Sequence, residues 1–378
     1  MHEHKQNQCK RKVKHRKNMM VLLIFCITVC MAFMFAYYQN LRKEISARQK
    51  WLETVLTGEK KWILENQGPE GEIYMNGSKA GDVNPYFACM AALGLLAETK
   101  NCPMTETEKK AVGRYLDWHT GILLETDGKM GIYRKESGKL IYKEKADSED
   151  GYLGMYLFLM GKYLEKTEST DLPEYWKKGI SLALKKIQSL MQDGITQVSE
   201  ENTTVYLMDN LEVWKGLYEL ELAGLEDTQA ISEMRKKIQE QIEKIFWDDA
   251  NQRWRIIGNS DLYHQTEFYP DGVAQIYPLI YEFPVKEKKK QKILYDQFTE
   301  KFQWQKLNKK RTGFLWAMTG MAAAQMGDIN NLVELIRNYE TEYCENRKYP
   351  LYTGEAGWIC MECGKLYGLY ERKIKTGF

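Results

Sequence analysis

Beyond residue 44 the sequence alternates between two kinds of helical segment, and this alternation restricts the folds open to it more than any other feature. Residues 228–246, TQAISEMRKKIQEQIEKIF, place Ile231, Met234, Ile238, Ile242 and Ile245 three and four apart, with charges between them. That stripe predicts a surface helix burying one face. Residues 173–191 repeat it, with Trp176, Ile180, Leu184, Ile187 and Leu190 inward and Lys177, Lys178, Lys185 and Lys186 outward. The run KEKKKQK at 286–292 reads as the solvated face of another. The second kind is apolar nearly all round and rich in Gly, Ala, Met and Tyr: YFACMAALGLLAE (86–98), YLGMYLFLMGKYL (152–164), GFLWAMTGMAAAQMG (313–327) and AGWICMECGKLYGLY (356–370). Helices of this composition are buried on most sides, and their small residues allow close approach.

The outer candidates are 45–66, 105–119, 173–191, 228–246, 285–303 and 328–343. The inner candidates are 84–98, 149–165, 207–223, 270–281, 311–326 and 355–371. Each outer–inner pair is a helical hairpin. Six hairpins arranged in a ring predict an all-α, (α/α)6 toroid with the inner helices around a central pit. The units are too long and too irregular for a short-period solenoid. Outer-to-inner connections are long and polar, whereas inner-to-outer ones are short (ETKNCPMT, KTESTDL, AGLED, GDIN). Long loops at one end of a rigid scaffold are where sites are built. All six inner helices would start at that end, so their partly positive N-termini converge there.

The first 50 residues are a separate object. Residues 1–18 are basic, with Glu3 as the single acid, and 19–38, MMVLLIFCITVCMAFMFAYY, carry no charge. Twenty apolar residues at about 1.5 Å each span a hydrocarbon core of roughly 30 Å. Tyr37 and Tyr38 stand where an interfacial aromatic belt would lie, and the basic flank predicts a cytoplasmic N-terminus. The run is long for a cleaved signal peptide, and no small-x-small site follows it. The organisation expected is a basic cytoplasmic tail (1–18), a transmembrane signal anchor (19–38), a linker (39–50) and an (α/α)6 domain (51–378). The chain would cross the plasma membrane once, with that domain outside.

A net charge of +2 argues against nucleic acid as the main partner, because phosphate binding favours a basic surface. Of the eight cysteines, five (89, 102, 344, 360, 363) lie beyond the apolar run. An odd number is not a disulfide framework, although one bridge, such as Cys89–Cys102, stays open. Cys360 and Cys363 form a CxxC inside an apolar helix, with no second CxxC or nearby His pair to complete a zinc site. They read as small buried hydrophobes. No HExxH, P-loop, GxGxxG after a strand or GxSxG occurs, so neither a metal nor a cofactor is expected.

The inner-helix starts concentrate carboxylates and aromatics. Before the first, GPEGEIYMNGSKAGDVNPYF brings Glu70, Glu72, Asp82, Asn84 and Tyr86; before the second, ADSEDGY brings Asp147, Glu149, Asp150 and Tyr152. The third, YLMDNLEVW, brings Asp209, Asn210, Glu212 and Trp214; the fourth, HQTEFYPDGVAQ, brings His264, Glu267, Tyr269 and Asp271. The fifth has Arg311, Thr312 and Trp316, and the sixth, LYTGEAGW, has Tyr352, Thr353, Glu355 and Trp358. Any one Asp, Asn or Thr here is an ordinary helix cap. Pointed together into one pit, they make a different set. One protonated carboxylic acid can donate to a leaving oxygen while a second carboxylate activates water or attacks carbon. Crowded like charges raise one pKa and so supply the acid, and aromatic faces stack on sugar rings.

This arrangement resembles the six-hairpin glycosidase superfamily over most of residues 50–378. Within it, ADSEDGYLGMYLFL (146–159) is similar to the acidic motif that opens inner helix two of glycoside hydrolase family 8. The resemblance implies that Asp147 or Asp150 binds the sugar at the cleavage point and helps distort it. That family carries its general acid in a Ser-Glu-Gly motif near inner helix one. Here GPEGE and DVNPYF stand instead, so Glu72, or failing it Glu70, is the acid expected. The likeness is that of a relative within the superfamily. The catalytic candidates are Glu72, Asp147, Asp150 and Asp209. The substrate-binding candidates are Glu70, Asn84, Tyr86, Tyr152, Asn210, Trp214, Glu267, Tyr269, Asp271, Trp316, Glu355 and Trp358. The expected function is a membrane-anchored, extracytoplasmic glycoside hydrolase acting on a polysaccharide or oligosaccharide. A non-catalytic carbohydrate-binding or assembly subunit stays open, as does a uronyl hydrolase or lyase. Epimerases of this fold depend on a His pair, and only His119 and His264 lie beyond the apolar run.

Overall fold

A computed structural model describes residues 2–77, 81–136, 139–169, 172–225, 228–260, 267–307 and 313–376. The chain divides into two compact units, residues 1–51 with 370–378, and residues 52–369. In the first unit, α1 (His2–Glu65) contributes residues up to 51. It is long and apolar enough to cross a membrane, and its large apolar side chains from Met19 to Tyr37 stand mostly exposed. Residues 39–50, expected as a linker, are helical. They are good helix formers, and Arg48 donates to Glu44 one turn earlier (2.6 Å) while its guanidinium lies over the Tyr370 ring.

In the second unit, residues 52–65 of α1 form the first outer helix. The others follow in alternation: α2 (Pro85–Leu95), α3 (Glu106–Glu125), α4 (Glu149–Thr167), α5 (Glu174–Leu190), α6 (Leu207–Leu222), α7 (Thr228–Phe246), α8 (Val273–Ile280), α9 (Lys288–Phe302), α10 (Thr319–Met326), α11 (Ile329–Tyr339) and α12 (Thr353–Thr376). The even-numbered helices are the inner ones, and the fold is the (α/α)6 toroid. Outer helices bury one stripe, as α7 does with Ile231, Ile238, Ile242 and Phe246. Their starts are locally encoded: Thr105 and Glu108 form a reciprocal capping box on α3. Buried Lys60 then pairs with Glu108 at 3.1 Å, tying α1 to α3.

Inner helices meet through glycine. A Cβ on Gly216 of α6 would stand 2.3 Å from the Gly154 carbonyl oxygen of α4, and one on Gly94 of α2 would stand 2.4 Å from Cα of Gly357 in α12. The second contact closes the inner ring between the first and last hairpins. Outside it, buried Glu59 of α1 accepts from the Tyr339 hydroxyl (2.7 Å), the Cys344 thiol (3.2 Å) and the Arg347 guanidinium.

The short strands lie in outer-to-inner connections. β1 (Asp82–Val83) pairs with β2 (Gly131–Glu136), which pairs with β3 (Lys139–Lys145), all antiparallel. β4 (Met191–Gln192) and β5 (Ile195–Thr196) form a separate small ribbon. The β2–β3 pair departs from the all-helical expectation. Its outer strand is almost wholly exposed, so it carries no alternation of buried and polar residues that the sequence could announce. Helix α10 begins at Thr319, later than expected, for a reason found in the site. Cys89 and Cys102 are not bridged: both are free thiols. Cys89 is buried beside Tyr115 and His119, and Cys102 lies near Thr57. Cys360 and Cys363 are fully buried.

The glycine contacts set a paired expectation. Gly216→Ala should lower stability by about 1–3 kcal/mol, because the added methyl meets backbone. Gly58→Ala, on an exposed helical face with open space around it, should raise stability by about 0.5–1 kcal/mol. Thermal unfolding of the full chain in detergent reads both signs, and equal effects at the two positions would refute the packing.

Candidate active site

A cavity of about 330 Å³ opens at the N-terminal ends of the inner helices, lined by five of them and by the segment that leads into α10. Its lining carries two kinds of side chain. The carboxyls are Asp147 before α4, Asp209 and Glu212 on the first turns of α6, and Glu355 on α12. The aromatic rings are Trp316, Phe314, Tyr269, Trp358 and Phe87, with Tyr86, Tyr152 and Tyr277 beside the carboxyls.

Local structure decides which carboxylate faces in. Ser148, not Asp147, is the N-cap of α4, accepting from the Gly151 N–H (3.2 Å). Asp147 is thereby left on the cavity side of the cap and exposed. Asp150, one turn in, is fully buried behind the wall. It accepts from the Ser148 hydroxyl (2.8 Å), the Gly151 N–H (3.0 Å) and the Thr196 hydroxyl (2.7 Å). Of these two catalytic candidates, Asp147 lines the cavity and Asp150 does not. Burial still raises Asp150 to about 6, against those hydrogen bonds.

Glu212 is the most constrained group. Its Oε1 accepts from the hydroxyls of Tyr86 on α2 and of Tyr277 on α8 (2.6 Å), with that of Tyr281 at 3.3 Å. Burial pushes Glu212 up to about 7, offset by the tyrosine donors and reinforced by the charge of Asp150. Asp209, half-buried one turn before it, is raised well above its usual range by desolvation first, then by Asp150 and Glu212. Like charges sharing a poorly solvated site force one of them to keep its proton.

Glu355 explains the late start of α10. Its two oxygens accept the backbone N–H groups of Trp316 (3.1 Å) and Ala317 (2.8 Å), so the chain there is held by a side chain rather than by helix. Burial raises Glu355 to about 7, and those two N–H groups oppose the rise. Trp316 sits at φ +60°, an uncommon conformation for a bulky residue.

Of the substrate-binding candidates, Asn84, Tyr86, Tyr152, Tyr269, Trp316, Glu355 and Trp358 line the cavity. The others do not. Glu72 is a correction: it is fully buried beneath its loop, accepting from the Tyr74 hydroxyl (2.9 Å) and the Glu70 N–H (3.0 Å), with Lys135 at 3.5 Å. Glu70 is exposed on the same loop and off the cavity lining. Asn210 clamps β5 to α6, accepting from the Thr196 N–H (2.8 Å) and donating to the Thr196 and Tyr206 carbonyls (2.9 Å each). Trp214 is buried, stacked on Tyr218 and donating to Gln239. Glu267 is exposed and outside the lining. Asp271 faces a separate groove of about 270 Å³ between residues 251–256 and α9. His119 is buried beside Tyr115, while His264, Arg311 and Thr312 lie outside the described residues. The lining residues that sequence reasoning did not select include Tyr277, Phe87, Phe314 and Ser148. Glu212 was visible at the third helix start but indistinguishable there from a capping acid.

The sequence matches no protein-family model and no curated protein. Solved structures do resemble the chain. A glycosidase variant aligns with a TM-score of 0.61 at 12% identity, over 86% of this chain and 99% of its own. A D-mannose isomerase aligns with a TM-score of 0.54 at 12% identity, over 84% and 97%. An inactive variant of an alpha-1,6-mannanase of Salegentibacter, in complex with alpha-1,6-mannotriose, aligns with a TM-score of 0.53 at 12% identity, over 84% and 99%. At this identity the likeness shows a shared six-hairpin fold.

The carboxyls predict a pH dependence. A group whose folded pKa is raised stabilises the native state below its unfolded value and loses that contribution as pH rises through the folded one. For Glu212, between its ordinary 4.5 and about 7, that loss is about 3 kcal/mol. Glu212→Gln should therefore flatten the fall in Tm between pH 5 and pH 8. A variant that tracks the parent across that range would contradict the burial argument.

Proposed function

We propose that this protein is a membrane-anchored glycoside hydrolase whose toroid stands outside the cytoplasmic membrane and cleaves a polysaccharide. One observation carries the reading: a single cavity at the inner-helix N-termini gathers Asp147, Asp209, Glu212 and Glu355 among aromatic rings. Acetal cleavage needs a proton for the leaving oxygen and a second carboxylate on water or carbon.

In this reading Asp209 is the general acid. The charges of Asp150, Glu212 and Asp147 around it favour its protonated form, and no tyrosine cage occupies its oxygens as it does those of Glu212. Asp147, exposed to the cavity, is the partner that activates water or attacks carbon. Glu212 holds Tyr86 and Tyr277 in place, and Glu355 holds Trp316. The sugar ring lies against the Trp316 side with its glycosidic oxygen toward Asp209. Glycosidases among the structural neighbours support the reading at the level of fold.

The cavity lining also bears on substrate class. Among the described residues it carries Asp147, Asp209, Glu212 and Glu355 and no Lys or Arg. Carboxyls that share protons hydrogen-bond sugar hydroxyls and amines, and no cation among the described lining residues would pair with a uronate, which favours neutral or amino sugars and hydrolysis over the uronyl alternatives. The apolar stretch at 19–38 with its basic N-terminal flank supports an uncleaved anchor and a cytoplasmic N-terminus.

The test is release of reducing ends by the full chain in detergent. The panel comprises mannan, glucans, xylan, chitosan, poly-N-acetylglucosamine and a uronic-acid polymer. Activity is expected on a neutral or amino-sugar polymer. Asp209→Asn and Asp147→Asn should each lower it by at least about 10²-fold, and Glu72→Gln should lower it far less. Activity that survives both aspartate changes would overturn the assignment. Binding without cleavage anywhere in the panel would favour a carbohydrate-binding subunit.

A further inference from the structure

The aromatic rings do not stop at the cavity. Tyr269 and Trp316 have ring centroids 4.7 Å apart, Trp316 and Phe314 6.2 Å, Phe314 and Tyr352 5.7 Å, and Tyr352 and Tyr349 6.2 Å. The row starts before α8, crosses the start of α10 and ends before α12. Its inner members line the cavity. Its outer end, Tyr349, is 69% exposed, and Tyr269 is 44% exposed. These two exposed rings stand at the ends of the row, and Trp316, Phe314 and Tyr352 between them are half-buried.

The row is also held rigid. Trp316 occupies left-handed backbone space, and the Glu355 carboxylate on its N–H and on the next one maintains that conformation. A bulky residue kept in a sparsely populated conformation by a buried side chain points to a positional requirement at that ring. Phe87 stacks on Phe314 (5.3 Å, 23° between planes) and backs the row from α2. Tyr349 crosses close to Gly313, where an added Cβ would stand 3.1 Å from its hydroxyl.

We infer that Tyr269, Trp316, Phe314, Tyr352 and Tyr349 form a track for an extended oligosaccharide, so that the site engages several consecutive sugar units rather than one. The inference rests on the glycosidase reading and deepens it. Rings pre-fixed by their neighbours bind with little loss of conformational freedom, and the ring surface that lines the cavity or is exposed at Tyr349 offers an uncharged platform to the C–H face of a sugar. A chain lying on the track enters the cavity along its length, and the carboxyls meet an interior linkage. The substrate class is therefore a linear polymer with several successive uncharged or amino-sugar units, cut within the chain.

The test measures affinity against chain length. The full chain in detergent is titrated, by intrinsic tryptophan fluorescence, with disaccharides and hexasaccharides of alpha-1,6-linked mannose, beta-1,4-linked glucose and beta-1,4-linked glucosamine. In at least one series the hexasaccharide should bind about tenfold or more tightly than the disaccharide. Tyr349→Ala, an exposed position where folding is not at risk, and Tyr352→Phe→Ala as a graded pair should remove most of that advantage. A disaccharide that binds as well as the hexasaccharide would overturn the track and leave the glycosidase reading standing. So would a length advantage that survives Tyr349→Ala and Tyr352→Ala. Failure of every saccharide to bind would overturn both.

Discussion

One carboxylate oxygen organises the centre of the toroid. Oε1 of Glu212 on α6 receives the hydroxyl of Tyr86 from α2 and that of Tyr277 from α8, so three inner helices meet at a single acceptor. Removing water from that acceptor raises its pKa to about 7, and the tyrosine donors replace part of the lost solvation. Desolvation likewise raises Asp209 well above its usual range, and the charges of Asp150 and Glu212 add to the rise. Geometry and protonation thus have one cause.

Around that point the inner helices approach closely. Gly154 and Gly216 let α4 and α6 touch at backbone distance, and Gly94 and Gly357 do so for α2 and α12. The close contacts reach the first turns too: Gly354 lies against the Phe87 backbone and Gly357 against that of Met90, beside residues that line the cavity.

The architecture was legible because helix type is written in periodicity. A one-face stripe such as that of α7 and an all-round apolar segment such as α4 differ by composition alone, and their alternation counts hairpins. Angular position within a first turn is less legible. Asp147, Ser148 and Asp150 are all capable caps, and only the choice of Ser148 turns Asp147 into the cavity and Asp150 behind it. Asp209, Asn210 and Glu212 pose the same problem on α6. Glu72 shows another limit: an acid in a loop reads alike whether its partner is a sugar above or Tyr74 beneath. The aromatic lining was legible only in its tryptophans, Tyr86, Tyr152 and Tyr269. Phe314 is an ordinary core residue in sequence and becomes lining because Glu355 delays the start of α10, and Phe87 of α2 stacks on it.

In the proposed complex a sugar lies in the inner-helix cavity, against Trp316 and under Asp209. The most direct measurement is a crystal structure of the Asp209→Asn variant soaked with an oligosaccharide that the parent protein cleaves. Density is expected in the inner-helix cavity, with a glycosidic oxygen within hydrogen-bond reach of position 209 and a sugar face on Trp316. An empty cavity, with the sugar instead in the outer groove between α7 and α9 that Trp247 and Trp254 line, would contradict this placement.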